Sequence, residues 1–260
     1  MGLIVFIHGM GNNPNRYYWR EWGDQLLPYL LKQGIDLGEI NFDGVYYYDL
    51  VPQPGDGWKK ITSFFYRDTV GDLRREMWHY IIEGGDISRM LGRGPIDGLV
   101  NLVADNFGDI FSYLLNDEAF NAVNERLYSM LEKSKEPVTL VAYSLGTMVS
   151  YCALQQNPEL SKRINHFVTL GSPIFWFRKW LDRRVNLQQR PTQAHWTNLA
   201  GKLDVACPHL VDYNCCGPDE NLECELDKFN PVKGHTAYFT GAGALYLLSE
   251  AIASHWVRNI

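Results

Sequence analysis

A serine flanked by small residues has the clearest chemical potential of any feature in this sequence. Ser144 lies within the segment Ala142–Gly146, directly after the apolar run Val138–Ala142. Small residues two positions before and after a serine suit a strained turn, because larger side chains would clash within it. This segment lies where a predicted strand meets a predicted helix. We therefore predict that Ser144 is a nucleophile that attacks a carbonyl carbon.

A second chemically significant segment comes near the start of the chain. The apolar run Leu3–Ile7 ends at His8-Gly9-Met10. A glycine turn after a strand can expose backbone N–H groups. We predict that the N–H groups of Met10 and Leu145 form an oxyanion hole for a tetrahedral intermediate. An ordinary glycine-rich turn is the alternative.

Strands and helices are predicted to alternate around these turns. Their apolar patterns place strands at Leu3–Ile7, Val45–Tyr48, Val138–Ala142, Ile164–Leu170 and His195–Leu199. They place helices at Arg16–Lys32, from Ser144 to the stop at Asn157-Pro158, and at Ala242–Ser254. Alternation of this kind, with strands that are apolar throughout, favours an α/β fold with a parallel sheet covered on both faces.

With these segments, the chain resembles the α/β-hydrolases, and among them the small lipases and esterases. The resemblance is carried by His8–Gly11, the Ala142–Gly146 turn, Gly171-Ser172-Pro173, and the acid and histidine described below. It covers the first fifty residues and most of residues 137–254. It implies one α/β-hydrolase domain over residues 1–260, with a mostly parallel sheet of about six strands flanked by helices. The family's two leading strands are absent, since the first strand already precedes the glycine turn.

The resemblance also implies the chain order serine, acid, histidine. Asp204 lies just beyond the predicted strand His195–Leu199 and is our candidate for the acid. Asp182, in a basic stretch, and Asp212, in a cysteine-bearing loop, are weaker candidates. The acid would orient the imidazole of the base and stabilise its cation.

His235 is our candidate for the catalytic base, since it precedes the terminal helix, where the family places this residue. His209 is the main alternative, but it follows Asp204 by only five residues. His8 is assigned to support of its own turn. The other histidines are assigned to a helix or strand, or to the chain end; they are His79, His166, His195 and His255.

An insertion from about Pro52 to Leu115 is predicted between the second and third strands, because the connection is too long for a plain crossover. It leaves the sheet at the carboxyl edge, so we expect a helical cap over Ser144 that forms a hydrophobic acyl pocket. The cap could open as a lid at a lipid surface or stand as a fixed buttress. The aromatic cluster Phe175-Trp176-Phe177 with Trp180 is interpreted as an acyl-binding wall or an interfacial patch, or as plain packing.

Composition excludes several classes of protein. The formal net charge of −6 leaves no basic excess for nucleic acid. No apolar stretch is long enough to cross a bilayer, and no basic segment precedes an apolar leader, so we expect a cytoplasmic protein. Neither a cofactor nor a metal site is predicted. The cluster Cys207, His209, Cys215, Cys216 and Cys224 lacks paired C-x-x-C units, which favours free thiols in a loop.

Together these residues predict a serine hydrolase that cleaves carboxylic esters, including lipid esters, through an acyl-enzyme on Ser144. A thioesterase or an acyltransferase of the same fold is an alternative, as is a non-catalytic binding module. Expected partners are a small-molecule or lipid ester, with transient contact to a membrane surface. The sequence does not determine acyl length, head group or oligomeric state.

Overall fold

The computed structural model describes residues 1–9, 13–51, 71–77, 108–202, 204, 207, 217–226 and 231–257. Its strands are β1 (Gly2–Ile7), β2 (Ile40–Val45), β3 (Val138–Tyr143), β4 (Ile164–Leu170), β5 (His195–Gly201) and β6 (Glu220–Cys224). Its α-helices are α1 (Tyr18–Lys32), α2 (Gly108–Leu115), α3 (Asp117–Lys133), α4 (Leu145–Gln156), α5 (Pro158–Ser161), α6 (Ile174–Leu181), α7 (Pro231–Thr236) and α8 (Ala242–Ser254). A 3₁₀ turn covers Leu37–Glu39, and residues 71–77 are helical.

The described strands form one sheet in the order β2-β1-β3-β4-β5-β6, and every neighbouring pair is parallel. This confirms the predicted α/β class and the sheet of about six strands flanked by helices. The chain first crosses from β1 to β2 on one side and then from β2 to β3 on the other. The crevice between the carboxyl ends of β1 and β3 is thus a topological switch point, the usual ligand site of open α/β sheets.

Both faces of the sheet are buried, which explains why the inner strands are apolar throughout. In β1, Val5 and Ile7 belong to one core cluster, whereas Ile4 and Phe6 belong to the other. Side chains of α2, α3, α4 and α6 complete the first cluster, and those of α1 and α8 complete the second. Successive strand residues point to opposite faces, so only a continuous apolar run can supply both cores.

Two strand predictions need correction. The strand predicted at Val45–Tyr48 is wrong in position, because β2 ends at Val45 and the following tyrosines lie beyond it, two of them stacked on the ring of His8. The segment Glu220–Cys224, predicted as part of a loop, is the edge strand β6. Its sequence is largely polar because an edge strand is covered on fewer sides, and the apolar pattern that identifies inner strands is therefore missing.

Two parts of the predicted insertion are described, and both pack into the first core cluster. Leu73 and Met77, in the helical segment 71–77, are fully buried there. In α2, the Phe111 ring lies 5.3 Å from the Phe177 ring and 5.4 Å from the Trp180 ring, between ring centroids. Residues 52–70 and 78–107 lie outside the described residues, so the rest of the predicted cap over Ser144 lies outside them as well.

The described helices fall short of what a bilayer span requires. The longest of them, α3, has 17 residues, and its exposed face is charged. Among the described helices, none has both the length and the apolar character of a membrane span.

Replacing Leu140 by alanine should lower the free energy of unfolding by about 2–5 kcal/mol, because the side chain is fully buried in the central strand β3 and its loss leaves a cavity. Leu37→Ala is the matched control, since Leu37 is 63% exposed and its loss should change stability by no more than about 0.5 kcal/mol. Urea unfolding followed by circular dichroism measures both. Equal losses in the two variants would contradict the assignment of Leu140 to the core.

Candidate active site

Ser144 occupies a strained turn between β3 and α4. Its φ is 53° and its ψ is −124°, and it is the only non-glycine residue with positive φ in the described part of the chain. A backbone conformation of this kind costs about 1–3 kcal/mol and persists only where the surrounding structure holds it. Hydrogen bonds do so here: the Ser144 N–H donates to the Leu170 carbonyl at 2.9 Å, and the Thr147 N–H donates to the Ser144 carbonyl at 2.9 Å.

Two glycines let the chain approach this turn closely. A Cβ atom on Gly146 would lie 2.6 Å from the carbonyl oxygens of both Ile7 and His8. A Cβ atom on Gly9 would lie 2.6 Å from the Ser144 Cβ. Those distances are too short for any real side chain, so glycine at both positions is what allows the ends of β1 and β3 to meet at Ser144.

Ser144, His235 and Asp204 lie in continuous hydrogen-bond contact. The His235 Nε2 is 2.9 Å from the Ser144 Oγ. The His235 Nδ1 is 2.9 Å and 3.0 Å from the two carboxylate oxygens of Asp204. A carboxylate can only accept, so the Nδ1 carries the proton and donates it, which leaves the Nε2 lone pair facing the serine hydroxyl.

Asp204 is fully buried, and the groups around it stabilise its charge. The Tyr238 hydroxyl donates to the carboxylate at 2.7 Å and accepts from the Gly201 N–H at 2.7 Å. Burial, followed by the Asp204 charge, raises the pKa of Tyr238 well above its ordinary value, so the hydroxyl keeps the proton that it donates. A buried carboxylate needs such partners, because an unpaired one would be strongly destabilising.

Tyr143 holds the backbone of the histidine. Its hydroxyl donates to the His235 carbonyl at 2.7 Å, and the two rings lie 5.2 Å apart between centroids. Neither Tyr143 nor Tyr238 is predicted as a site residue from the sequence, although both lie in the segments that carry the candidate serine and histidine. Residue spacing in the sequence does not predict these two contacts, because a long tyrosine side chain places its hydroxyl far from its own backbone.

His8 supports the glycine turn, as its position at the strand end suggested. Its Nδ1 is 2.9 Å from the Gly9 carbonyl oxygen, and its Nε2 is 3.2 Å from the Tyr47 N–H. A neutral ring with the proton on Nδ1 satisfies both contacts. The ring stacks against both Tyr47 and Tyr48, with centroids 4.0 Å and 3.8 Å away. Burial lowers the pKa of His8 from 6.5 to about 3, so the ring is uncharged at neutral pH.

Of the two residues predicted to form the oxyanion hole, the structure describes Leu145 but not Met10. Leu145 is the first residue of α4, and an N–H in the first turn of a helix has no acceptor within that helix. It is therefore a donor at the positive end of the helix dipole, next to the Ser144 hydroxyl. Met10 lies outside the described residues.

The alternatives left open by the sequence can be placed in part. Asp182 is the residue after α6 and takes no part in the Ser144 contacts that the structure describes, whereas Asp212 and His209 lie outside the described residues. Cys207 and Cys224 are buried, and Cys224 belongs to β6 rather than to a loop. Burial raises the pKa of Cys207 well above its ordinary value, which keeps the thiol protonated.

The aromatic cluster in α6 is mainly packing. Trp176, Phe177 and Trp180 are buried members of the first core cluster, and Phe175 is partly buried against it. This supports the packing interpretation over an exposed apolar patch, since an interfacial patch requires contiguous accessible rings.

The hydrogen bonds that link Ser144, His235 and Asp204 can support transfer of a proton from the serine hydroxyl. An imidazole lone pair at hydrogen-bond distance from a hydroxyl is the arrangement of a base and the group that it deprotonates. The carboxylate on the far side of the ring stabilises the imidazolium that results. A hydroxyl at the switch point of the sheet, beside a helix N-terminus, can therefore act on a bound electrophile.

Acidification should destabilise the fold partly through His8. Its pKa is lower in the folded protein than in the unfolded chain, so the unfolded chain binds the extra proton and stability falls as the pH falls from about 6.5 toward 3. One such group contributes a loss of ~2 kcal/mol between pH 7 and pH 5. Urea unfolding at both pH values measures it. The His8→Asn variant keeps a donor for the Gly9 carbonyl and should lose correspondingly less; an equal loss would contradict this role.

Comparison with known proteins does not assign the chain to a family. No protein-family model matches the sequence. No curated protein matches it either. What the protein does is therefore inferred from its own residues and their geometry.

Proposed function

We propose that this protein is a serine hydrolase that cleaves carboxylic esters, with Ser144 as nucleophile, His235 as general base and Asp204 as the group that orients His235. One observation carries the proposal: the Ser144 Oγ, the His235 ring and the buried Asp204 carboxylate form a continuous chain of contacts of 2.9–3.0 Å. The parallel six-stranded sheet flanked by helices is compatible with an α/β-hydrolase fold, which we propose for this chain.

In the proposed acylation step, the His235 Nε2 accepts the Ser144 proton as the Oγ forms a bond to the ester carbonyl carbon. The carbonyl electron pair moves onto oxygen, where the N–H groups of Leu145 and Met10 are proposed to stabilise it. The carbon–oxygen bond to the alcohol then breaks, and the His235 Nε2–H donates its proton to the leaving oxygen. An acyl-enzyme on Ser144 results.

Deacylation repeats the sequence with water. His235 accepts a proton from the water as its oxygen bonds to the acyl carbon, and the Ser144 Oγ leaves with the proton returned to it. The acid product is released and the ring is neutral again. Asp204 stays ionised throughout, since its role is to hold the Nδ1–H tautomer and to balance the imidazolium charge.

The location of these groups supports an enzyme over a binding module. A ligand pocket does not require a serine in a strained conformation, yet the protein sustains that strain at Ser144 with buried contacts from β1 and β4. Strain of this kind concentrates at functional sites. We propose that the insertion, about Pro52 to Leu115, supplies the acyl pocket above the serine.

Ser144→Ala should reduce hydrolysis of p-nitrophenyl esters by about 10⁴-fold or more while leaving the fold intact, because it removes only the attacking atom. It should also abolish labelling by a fluorophosphonate probe, which reacts only with an activated serine. Steady-state kinetics and labelling of purified protein measure the two effects.

Ser150→Ala is the matched control for this variant. Ser150 is a fully buried serine in α4, the helix that follows Ser144, six positions further along the chain. Its hydroxyl is not used in the proposed mechanism, so labelling and turnover should be retained. If Ser144→Ala kept more than a tenth of the wild-type rate, the assignment of the nucleophile would be wrong.

Asp204→Asn should lower the acylation rate by about 10³- to 10⁴-fold, because an amide can present either a donor or an acceptor to the ring and no longer secures the Nδ1–H tautomer. Asp212→Asn, at the acid that the sequence offered as an alternative, should leave the rate within about twofold of wild type. Rapid-quench or burst kinetics with an activated ester measure the acylation step. A severe effect of Asp212→Asn combined with a near-silent Asp204→Asn would show that Asp204 is not the acid.

A further inference from the structure

Three histidines converge at the amino edge of the sheet, opposite the edge that carries Ser144. His166 lies in β4 and is the register partner of His195, the first residue of β5. His255 directly follows α8 and caps its carboxyl end. One ring nitrogen from each of the three lies within 4.8 Å of the other two. The proposed hydrolysis uses none of these residues.

The hydrogen bonds of His166 leave one of its nitrogens with a free lone pair. The Thr197 Oγ1 is 3.5 Å from the Glu220 carboxylate, which can only accept, so the hydroxyl donates in that direction. Thr197 in turn accepts at 2.9 Å from the His166 Nε2, which therefore carries the proton. The Nδ1 is consequently unprotonated, and it is a buried atom with no hydrogen-bond partner among the described residues.

His195 is oriented by a carboxylate. Its Nδ1 lies 3.8 Å from the Asp219 carboxylate, which is too far for a hydrogen bond but close enough for the negative charge to favour the proton on this nitrogen. Its Nε2 is then the lone-pair atom, and this atom too is buried without a hydrogen-bond partner in the part of the chain that the structure describes. A carboxylate or hydroxyl behind a histidine is how metal-binding histidines are commonly oriented, because it fixes the tautomer and raises the basicity of the ligand nitrogen.

Two buried lone pairs without partners are uncommon in a folded protein, since each loses its water without gaining a replacement. A bound cation would satisfy both at once. Burial lowers the pKa of His166 from 6.5 to about 3, and burial with the neighbouring His195 also lowers the pKa of His255. Rings that are neutral at physiological pH are in the protonation state that ligates metals.

We propose that His166, His195 and His255 form a binding site for Zn²⁺ at the amino edge of the sheet. Three imidazole ligands suit zinc better than magnesium or calcium, which prefer oxygen ligands. Water or a nearby carboxylate would complete a tetrahedral set. The ion would join the ends of β4, β5 and α8, so the site is structural and independent of the proposed hydrolysis.

Binding requires a modest rearrangement, and the structure shows which residue can make it. Ideal tetrahedral coordination places ligand nitrogens about 3.4 Å apart, so separations of up to 4.8 Å have to close by at most about 1.4 Å. The rings of His195 and His255 are stacked at 3.7 Å, and one must turn for both to face a common point. His255 is partly exposed and lies beyond the last helical residue, so its side chain can move without disturbing the core.

The test is titration of the chelator-treated full-length protein with Zn²⁺ alone, followed by isothermal calorimetry and thermal unfolding. We expect one ion per chain with a micromolar or tighter Kd, and a Tm increase of about 5 °C or more at 100-fold excess over Kd. Mg²⁺ at the same concentration should leave the Tm unchanged. His255→Ala should raise the Kd for Zn²⁺ by at least about 100-fold, because it removes one of three ligands.

Two further variants locate the bound ion within the fold. Thr197→Val keeps the side-chain shape, removes the hydroxyl behind His166, and should raise the Kd by about 10- to 100-fold. His235→Ala should leave the Kd unchanged, which distinguishes binding at the amino edge from binding beside Ser144. Circular dichroism of each metal-free variant verifies folding. The proposal is overturned if wild-type protein does not bind Zn²⁺ at about 1 mM, a concentration far above the Kd expected of a built site, or if His235→Ala removes binding that His255→Ala retains.

Discussion

The strained backbone of Ser144 is the constraint on which the carboxyl edge of the sheet depends. A non-glycine residue with φ of 53° does not hold that conformation by itself. It is held because the Ser144 N–H bonds to β4, and because Gly146 allows α4 to start against the carbonyls that end β1. Strand register, helix start and serine orientation are therefore one coupled arrangement, and a change in any of them moves the hydroxyl.

Burial of a carboxylate is the second requirement, and it explains why the site extends beyond three residues. Asp204 is removed from water, so its charge needs donors that themselves stay protonated. Tyr238 and His235 are such donors, and Tyr143 fixes the backbone of the histidine. The same hydroxyl of Tyr238 accepts from the Gly201 N–H, which ties the last residue of β5 to the segment that carries His235.

The two edges of the sheet differ in what they hold. At the carboxyl edge, polar groups are satisfied by one another and converge on a hydroxyl at the switch point. At the amino edge, ring nitrogens of His166 and His195 are buried without hydrogen-bond partners from any described residue. The apolar cores lie between the two edges, so the contacts at Ser144 and the cluster of three histidines are separate arrangements.

Local sequence determined the inner strands, α4 and α8. A strand buried on both faces has a continuous apolar run, and a helix packed on the sheet has a periodic apolar pattern, so neither needs tertiary information to be recognised. It also marked Ser144, Asp204 and His235 as candidates through turn chemistry and chain order, although only the tertiary structure decided that they touch. The edge strand β6 and the end of β2 escaped prediction, since partial exposure erases that pattern. The convergence of His166, His195 and His255 was decided by tertiary structure alone. Strand register and the end of a distant helix bring the three residues together, and the spacing of residues along the chain predicts neither of these features.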